Sequence, residues 1–545
     1  MEKSTTAAIL LLLYFFGFCP QPGVPSFANP SDDLDFSYVK FVRNATDLPL
    51  LEEYDYIVVG GGTAGCPLAT TLSANYSVLL LERGNIPSAY PNVLRQNETL
   101  ANFMQEDDGK TPAQRFTSED GVANLRGRIL GGSSMINIGI YSRADGEFYQ
   151  KSGIKLDMNL VNNSYEWVEN TVAFRPNVTH WQSVVKDAML EAGVRPDNGL
   201  TLDHILGSKV TATLFDDRGK RHGAVELLNK GHPKNLRVAI HATVERIIFS
   251  SKASAKGIIY SDSNGRSHRA LIRGKGEVIL SAGAIGSPQL LLLSGVGPKS
   301  YLSSRKIPVV HPQPYVGQFM RDNPRNYITI LPPFQVEAST AQVVGITSDY
   351  YIETFSGLPF SRQAFSLFPS PTIPMTINSS FGHIVVKFPG PLSYGSLDLQ
   401  SSYDVKVAPN VKFNYFAQEA DLSRCVSAVR KMGDLLKTNS LKPYKAQDLP
   451  GLEGFNFFGL PLPVNQSDDA SFETFCRDTV ATFWHYHGGC LVGQVVDEDL
   501  RVMGIKALRV VDGSVFNLSP GTNPQATIMM LGRYVGVQML EERSE

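Results

Sequence analysis

Tyr54-Asp55-Tyr56-Ile57-Val58-Val59-Gly60-Gly61-Gly62-Thr63-Ala64-Gly65 is the stretch that decides the fold. A short β-rich run ends in a cluster of glycines, and a helical stretch continues to about Ser73. A second strand, Ser77 to Leu81, closes on Glu82. Strand, Gly-rich turn, helix and strand within about 30 residues make a βαβ unit. The spacing of Gly60, Gly62 and Gly65 alone is weak, because glycines also serve turns and packing. Here it follows a strand, opens a helix and is answered by an acidic residue, which is the context a dinucleotide-binding turn requires. Gly60 permits the tight turn, Gly62 lets the backbone approach a pyrophosphate, and Gly65 lets helix and strand pack closely. With Thr63 and Ala64 the turn offers free N–H groups and the positive end of a helix to that pyrophosphate. Glu82, followed by Arg83, would accept hydrogen bonds from the adenosine ribose.

Outward from this unit, further β signals fall at Leu236 to Ile240, Val244 to Phe249, Lys256 to Tyr260 and Glu277 to Leu280. The region from about Arg325 to Pro463 is rich in Pro, Ser and aromatics and lacks a helix-dominated period, so it reads as a β-rich cap. Leu508 to Glu542 returns to strand then helix, the helix over Ala526 to Met539. A chain of 545 residues carries enough surface to bury two lobes. Hydrophobic content of 43% and a net charge of -2 describe an ordinary globular protein with no field for nucleic acid or an anionic membrane.

Lys3 precedes an apolar run from Ala7 to Phe18, then Pro20 and the small-residue step Ser26-Phe27-Ala28. This is the layout of a cleavable secretory signal over 1–28, too short to cross about 30 Å of hydrocarbon as an anchor. Export permits disulfides and N-glycans. Cys19 leaves with the leader, and of Cys66, Cys425, Cys476 and Cys490 the pair Cys425 and Cys476 sits in polar, helix-like stretches suited to a disulfide. Asn44, Asn75, Asn97, Asn162, Asn177, Asn378, Asn465 and Asn517 each open an Asn-x-Ser/Thr triplet, with Asn517 expected to stay unmodified near the active site.

Two longer segments separate FAD from NAD. Gly127-Arg128-Ile129-Leu130-Gly131-Gly132-Ser133-Ser134-Met135-Ile136-Asn137 resembles the first signature of the glucose–methanol–choline (GMC) flavoproteins. Gly283-Ala284-Ile285-Gly286-Ser287-Pro288-Gln289-Leu290-Leu291, running on to Ser294-Gly295-Val296-Gly297, resembles the second. The resemblance covers essentially the whole mature chain. It implies an α/β (α+β overall) fold with a Rossmann-like FAD-binding lobe under a β-sheet substrate lobe. The expected FAD lobe is 29–155, 215–320 and 485–545, and the expected substrate lobe 156–214 and 321–484. Ile129, Ser133, Asn137, Ile138, Gly139 and Ile140 would pass the flavin, and Val244 would bond the adenine through its backbone. Trp484, Asp512, Gly513, Pro524 and Gln525 would close over it from the C-terminal side. Some relatives tether FAD through a histidine in the first signature. Ile136 stands there, so non-covalent FAD is expected, with no metal.

The segment Phe483-Trp484-His485-Tyr486-His487-Gly488-Gly489-Cys490 aligns on the family's flavin-facing histidine at His485. An imidazole, with an unperturbed pKa near 6.5, is well matched to taking a hydroxyl proton. His487 is expected to be structural. In Ser519-Pro520-Gly521-Thr522-Asn523-Pro524-Gln525-Ala526 the partner position, His or Asn in the family, is Asn523, whose amide can donate to a substrate oxygen. This pair suits alcohol oxidation, with His485 as base and hydride passing to flavin N5.

At the level of the whole chain the sequence is similar to the plant (R)-mandelonitrile lyases and their lyase-like relatives, through Ser88 to Val93, Gly390 to Ser396 and Trp484 to Val492. In those lyases the flavin is bound but takes no hydride. A histidine deprotonates the cyanohydrin, and a positively polarised site holds the departing cyanide. Their second histidine is Asn523 here, their pocket tyrosine is Phe483, and their pocket cysteine aligns with Glu353. A carboxylate facing cyanide would repel it. The expected substrate residues are therefore Glu353, Phe483 and Trp484, and alcohol oxidation by a secreted flavoenzyme is the leading expectation. Cyanohydrin cleavage is the alternative, and a flavin-loaded storage glycoprotein the third. The substrate is a small molecule bearing a hydroxyl.

Overall fold

Val58, Leu80, Ile279 and Val510 are all fully buried, as strands covered on both faces by other elements must be. The computed structural model, which describes residues 27–28, 35–251, 253–357, 380–521 and 523–544, assembles them into one eight-stranded sheet. Leu51–Val59 runs parallel to Val78–Leu81 on one side and to Ser267–Leu280 on the other. Leu236–Ile240 and Val42–Asn44 extend the parallel edge, and Leu508–Val510 lies parallel alongside Ser267–Leu280. Thr243–Phe249 and Ala255–Ser261 add an antiparallel flank. The register aligns Val59 with Leu81, Leu280 with Val59, and Val510 with Leu280. The residues that follow each of them, including Gly60, Glu82 and Ser281, thus leave the sheet along one edge, where ligands bind in open α/β sheets.

The helix Gly65–Leu72 is buried along its length between this sheet and the C-terminal helix Gln525–Ser544, which begins one residue before and ends five after the expected span. Met158–Val172 falls in the stretch expected in the substrate lobe. Instead Val161, Tyr165, Val168 and Val172 join the nucleotide-lobe core, and the Tyr165 hydroxyl meets Thr527 Oγ1 at 2.9 Å. Its partner lies at the far end of the chain, which is why the local pattern misplaces it.

The cap is a seven-stranded sheet in the order Ala481–Thr482, Pro324–Ile330, Gly382–Lys387, Tyr351–Ser356, Val343–Ile346, Gly207–Val210, Asp197–Leu200. It is more helical than its composition indicates. Glu419–Leu436, an 18-residue helix, runs through the stretch expected to be β-rich, and it covers one sheet face together with His180–Glu191 and Asp469–Asp478. Trp181, Ile328, Ile352, Ile384, Val386, Met432 and Phe472 form that core. Cys425 and Cys476 form the expected disulfide, joining two of these helices, while Cys66 and Cys490 are free and buried.

Period-two alternation sends the intervening side chains to the other face. Arg325 pairs directly with Lys387, and Glu353 pairs with Val385, two residues from Lys387. Two cations placed opposite each other in a sheet repel, so this face demands a nearby anion. Among the described residues no helix is long and apolar enough to cross a membrane. The expected leader run Ala7 to Phe18 and the Asn378 triplet lie outside the described residues.

Candidate active site

A cleft of about 1030 Å³ runs from the edge of the eight-stranded sheet to the underside of the cap. Its glycines divide the labour as the motif requires. Gly60 has φ +105°, and a Cβ there would lie 2.3 Å from Ser281 O. A Cβ on Gly65 would lie 1.9 Å from Gly60 O, so this glycine serves helix–turn packing and does not line the cleft. Gly62 differs from both. It lines the cleft, its φ is ordinary, and the nearest protein atom to an added Cβ is Gly132 Cα at 3.7 Å. No neighbour in the protein demands a glycine at 62. The open cradle beside it fits a group that approaches the backbone closely, as a pyrophosphate does.

Glu82 lies at the adjoining strand end, buried, accepting from Gly84 N–H at 2.8 Å and Gly61 N–H at 3.2 Å. Burial raises its pKa, against the pull of Arg83 and those backbone donors. One lone pair on each oxygen remains for ribose hydroxyls. Arg83 donates to Gln114 Oε1 at 2.6 Å across the cleft wall. Asp512 fixes the opposite wall, accepting from Gly283 N–H at 2.9 Å, Ser287 Oγ at 2.5 Å and Ser514 N–H at 2.8 Å. Asn137 donates to Gln525 Oε1 at 2.8 Å, which ties the first signature to the last helix. Thr63, Ala64, Ser133, Ile138, Gly139, Ile140, Val244, Gly513 and Pro524 all border the cleft. Ile129 does not. It is fully buried beneath its neighbours, and Asn85 bridges to it through the backbone.

His485 stands where the cleft meets the cap. Trp484 before it has φ +58°, a left-handed conformation unfavourable for an aromatic residue. Arg325 lies 4.8 Å over the indole ring and donates from Nε to Thr482 O at 2.8 Å. Asp322 accepts from His485 N–H at 3.0 Å and from the Tyr415 hydroxyl at 2.5 Å. The imidazole is thereby held from both ends, with Asn523 Nδ2 at 3.4 Å from Nε2 and Lys387 Nζ at 3.3 Å from Nδ1. Phe483 packs its ring 4.8 Å from that of His485. His487 also borders the cleft, with its Nδ1 bonded to His485 O at 3.0 Å.

The electrostatics here are unusual. Burial, then Lys387, His487 and Arg325, holds the His485 imidazole well below its ordinary 6.5. Burial pulls Lys387 down to about 8, with Glu353 resisting. Burial also pushes Asp322 up to about 6. Glu353 does not face the cleft. It is sealed behind Lys387 with its Oε1 3.7 Å from Nζ, both side chains inaccessible to solvent. Its charge is felt by Lys387 first and by Arg325 beside it. Lys387, Arg325 and Asp322 are residues that sequence reasoning missed. The signal available was a lysine closing the apolar run Ile384-Val385-Val386, a position such strands rarely give to a charge.

Residues 54–325 and 391–532 match the N- and C-terminal models of GMC oxidoreductase. The chain belongs to the GMC oxidoreductase family. Within that family it is 59% identical to (R)-mandelonitrile lyase 1 of Prunus serotina over 100% of this chain and 97% of that protein. It is 54% identical to sinalpyl alcohol oxidase Nec3 of Nesocodon mauritianus over 94% of this chain and 93% of that one. Among solved structures, a variant of Aspergillus oryzae formate oxidase shares the GMC fold with TM-score 0.75 at 20% identity, covering 91% of this chain and 100% of its own.

Proposed function

We propose that this GMC enzyme binds FAD non-covalently and cleaves a cyanohydrin to an aldehyde or ketone and hydrogen cyanide, with His485 as the base. One observation carries the reading. His485 and Asn523 meet at Nε2 where both border the cleft, while two buried basic side chains, Lys387 and Arg325, stand around the imidazole. Nε2 takes the hydroxyl proton, the carbon–carbon bond to the nitrile breaks, and its electron pair leaves with cyanide as the carbonyl forms. A cationic surrounding favours that anion. The carboxylate expected to oppose it is Glu353, which is spent on Lys387 and sealed off from the cleft. Full-length similarity to the mandelonitrile lyases points the same way and moves this reading ahead of the expected oxidation.

Alcohol oxidation is the second reading. It is favoured by Asn523, an amide where the lyases carry a histidine, and by the 54% identical relative named as an alcohol oxidase. When bound, FAD supplies the hydride acceptor that oxidation needs and cyanohydrin cleavage does not. Asn523 Nδ2 would steady the substrate oxygen in either reaction. Ile136 borders the cleft without a nucleophile, which supports a flavin released by acid precipitation. The leader-like N-terminus, the Cys425–Cys476 bond and the Asn-x-Ser/Thr triplets support passage through the secretory pathway. Racemic mandelonitrile should yield benzaldehyde and cyanide with the visible flavin band unchanged. Anaerobic bleaching by benzylic alcohols without cyanide release would install the second reading, and neither response would leave a storage protein.

A further inference from the structure

His485 is a poor place to leave a proton. Burial, then Lys387, His487 and Arg325, opposes an imidazolium there, and the Asp322 carboxylate meets only its backbone N–H. The second ring nitrogen shows where the proton can go. The Asn523 amide nitrogen, a donor that cannot accept, faces Nε2, so Nε2 presents its lone pair and the neutral ring carries its hydrogen on Nδ1. Nδ1 lies 3.3 Å from Lys387 Nζ. In this tautomer Nζ is the acceptor, which only the uncharged amine can be. Behind it Glu353 waits at 3.7 Å, with Lys387 the nearer and Arg325 the more distant cation acting on it.

We propose that Lys387 stores the proton that His485 takes from the substrate, with Glu353 as the counter-ion of the ammonium so formed. The inference rests on His485 being the base, as argued above. The substrate O–H bond breaks as Nε2–H forms, and Nδ1–H breaks as Nζ–H forms. The O–H electron pair stays on the substrate oxygen and becomes part of the carbonyl. His485 is neutral before and after, in opposite tautomers, and Lys387 passes from amine to ammonium. The return of the proton along the same path protonates the departing anion. Lys387 touches no substrate and acts through His485, so it is a positioning residue.

The groups facing Lys387 come from every neighbouring element. Glu353 and Tyr351 lie on one adjacent strand and Arg325 on the other, with Asp322 just before it. Phe483 and His485 face it from the loop below, and His204, held near 3 and hence neutral, from the loop before Gly207–Val210. Burial opposes the ammonium, whereas Glu353 and then Asp322 favour it. The balance near 8 leaves the proton store poised close to working pH.

The test uses the FAD-loaded enzyme. The active form needs Lys387 uncharged, so kcat/KM should climb about tenfold per pH unit up to about 8 and then level. Glu353→Gln should move that inflection down by a unit or more and lower the plateau, because the ammonium loses its counter-ion. Lys387→Met should erase the inflection and cost a hundredfold or more. A merely structural pair would change rates and leave the inflection in place, and that result overturns the proposal. A second arm needs no substrate. In protein labelled with 13Cε-lysine, the signal absent from Lys387→Met should titrate near 8 and shift down in Glu353→Gln. Titration near 10.4, or a signal unmoved by Glu353→Gln, overturns the store whatever the enzyme turns over. Failure to convert both mandelonitrile and alcohols would sink the functional reading instead, and the lysine titration would then decide the pair by itself.

Discussion

Replacing Gly62 and Gly65 separately by alanine should break two different things. At Gly65 the new Cβ would stand 1.9 Å from Gly60 O, a backbone atom that cannot swing away. The cost should reach roughly 3 kcal/mol, the upper end for overpacking, and appear in the flavin-free protein. At Gly62 the nearest protein atom is 3.7 Å off and φ is ordinary, so the fold should be untouched or gain about 0.4–1 kcal/mol from a stiffer unfolded chain. The methyl instead occupies the approach of the pyrophosphate. Losing one charge-assisted hydrogen bond of about 1.5–3 kcal/mol weakens FAD by about 10- to 150-fold. Thermal melts of apo-protein report the first effect, and FAD titration by fluorescence quenching reports the second. A Gly62→Ala protein that binds FAD as tightly as wild type, or a Gly65→Ala apo-protein that melts normally, would refute the division of roles.

Three further outcomes are expected. His485→Ala should slow turnover by about 10² to 10⁴ while the bound flavin is retained; a rate within a few-fold of wild type removes the base. Paired Cys425→Ala and Cys476→Ala should lower stability by about 4 kcal/mol for a bond spanning 51 residues, read as a shifted denaturant midpoint; an unmoved midpoint would mean that the two helices hold without it. Asp322, raised to about 6 from an unfolded value near 3.9, binds its proton more tightly in the native state, so its contribution is full below pH 4 and is lost as pH rises through 6. Asp322→Asn should remove up to roughly 3 kcal/mol of that slope, and parallel curves of Tm against pH for the two proteins would contradict it.

The nucleotide half was legible because its information is local. One βαβ unit, from Tyr54 to Glu82, places turn, helix and acidic end within a single readable window, and the strand at Leu236–Ile240 appears as expected. His485 and Asn523 could be named from their motifs, and the structure brings them together across 38 residues. The charged face of the cap was not legible. Lys387 and His485 meet across 98 residues, and nothing near Lys387 in the chain announces its partner. Glu353 was read as a substrate contact because sequence position locates a residue on a strand but does not show what stands in front of it. The helix Met158–Val172 was misplaced for the same reason, its amphipathic face matching a partner some 360 residues on.

Trp484 carries a last consequence. A left-handed turn at an aromatic residue stores on the order of 1–3 kcal/mol, held in check by contacts such as the Arg325 guanidinium over its indole. The torsion works like a wound spring whose catch is that stacked cation, and the aim of the next side chain depends on it. A pocket substitution that leaves this catch in place keeps the imidazole aimed, whereas loss of the catch lets it swing.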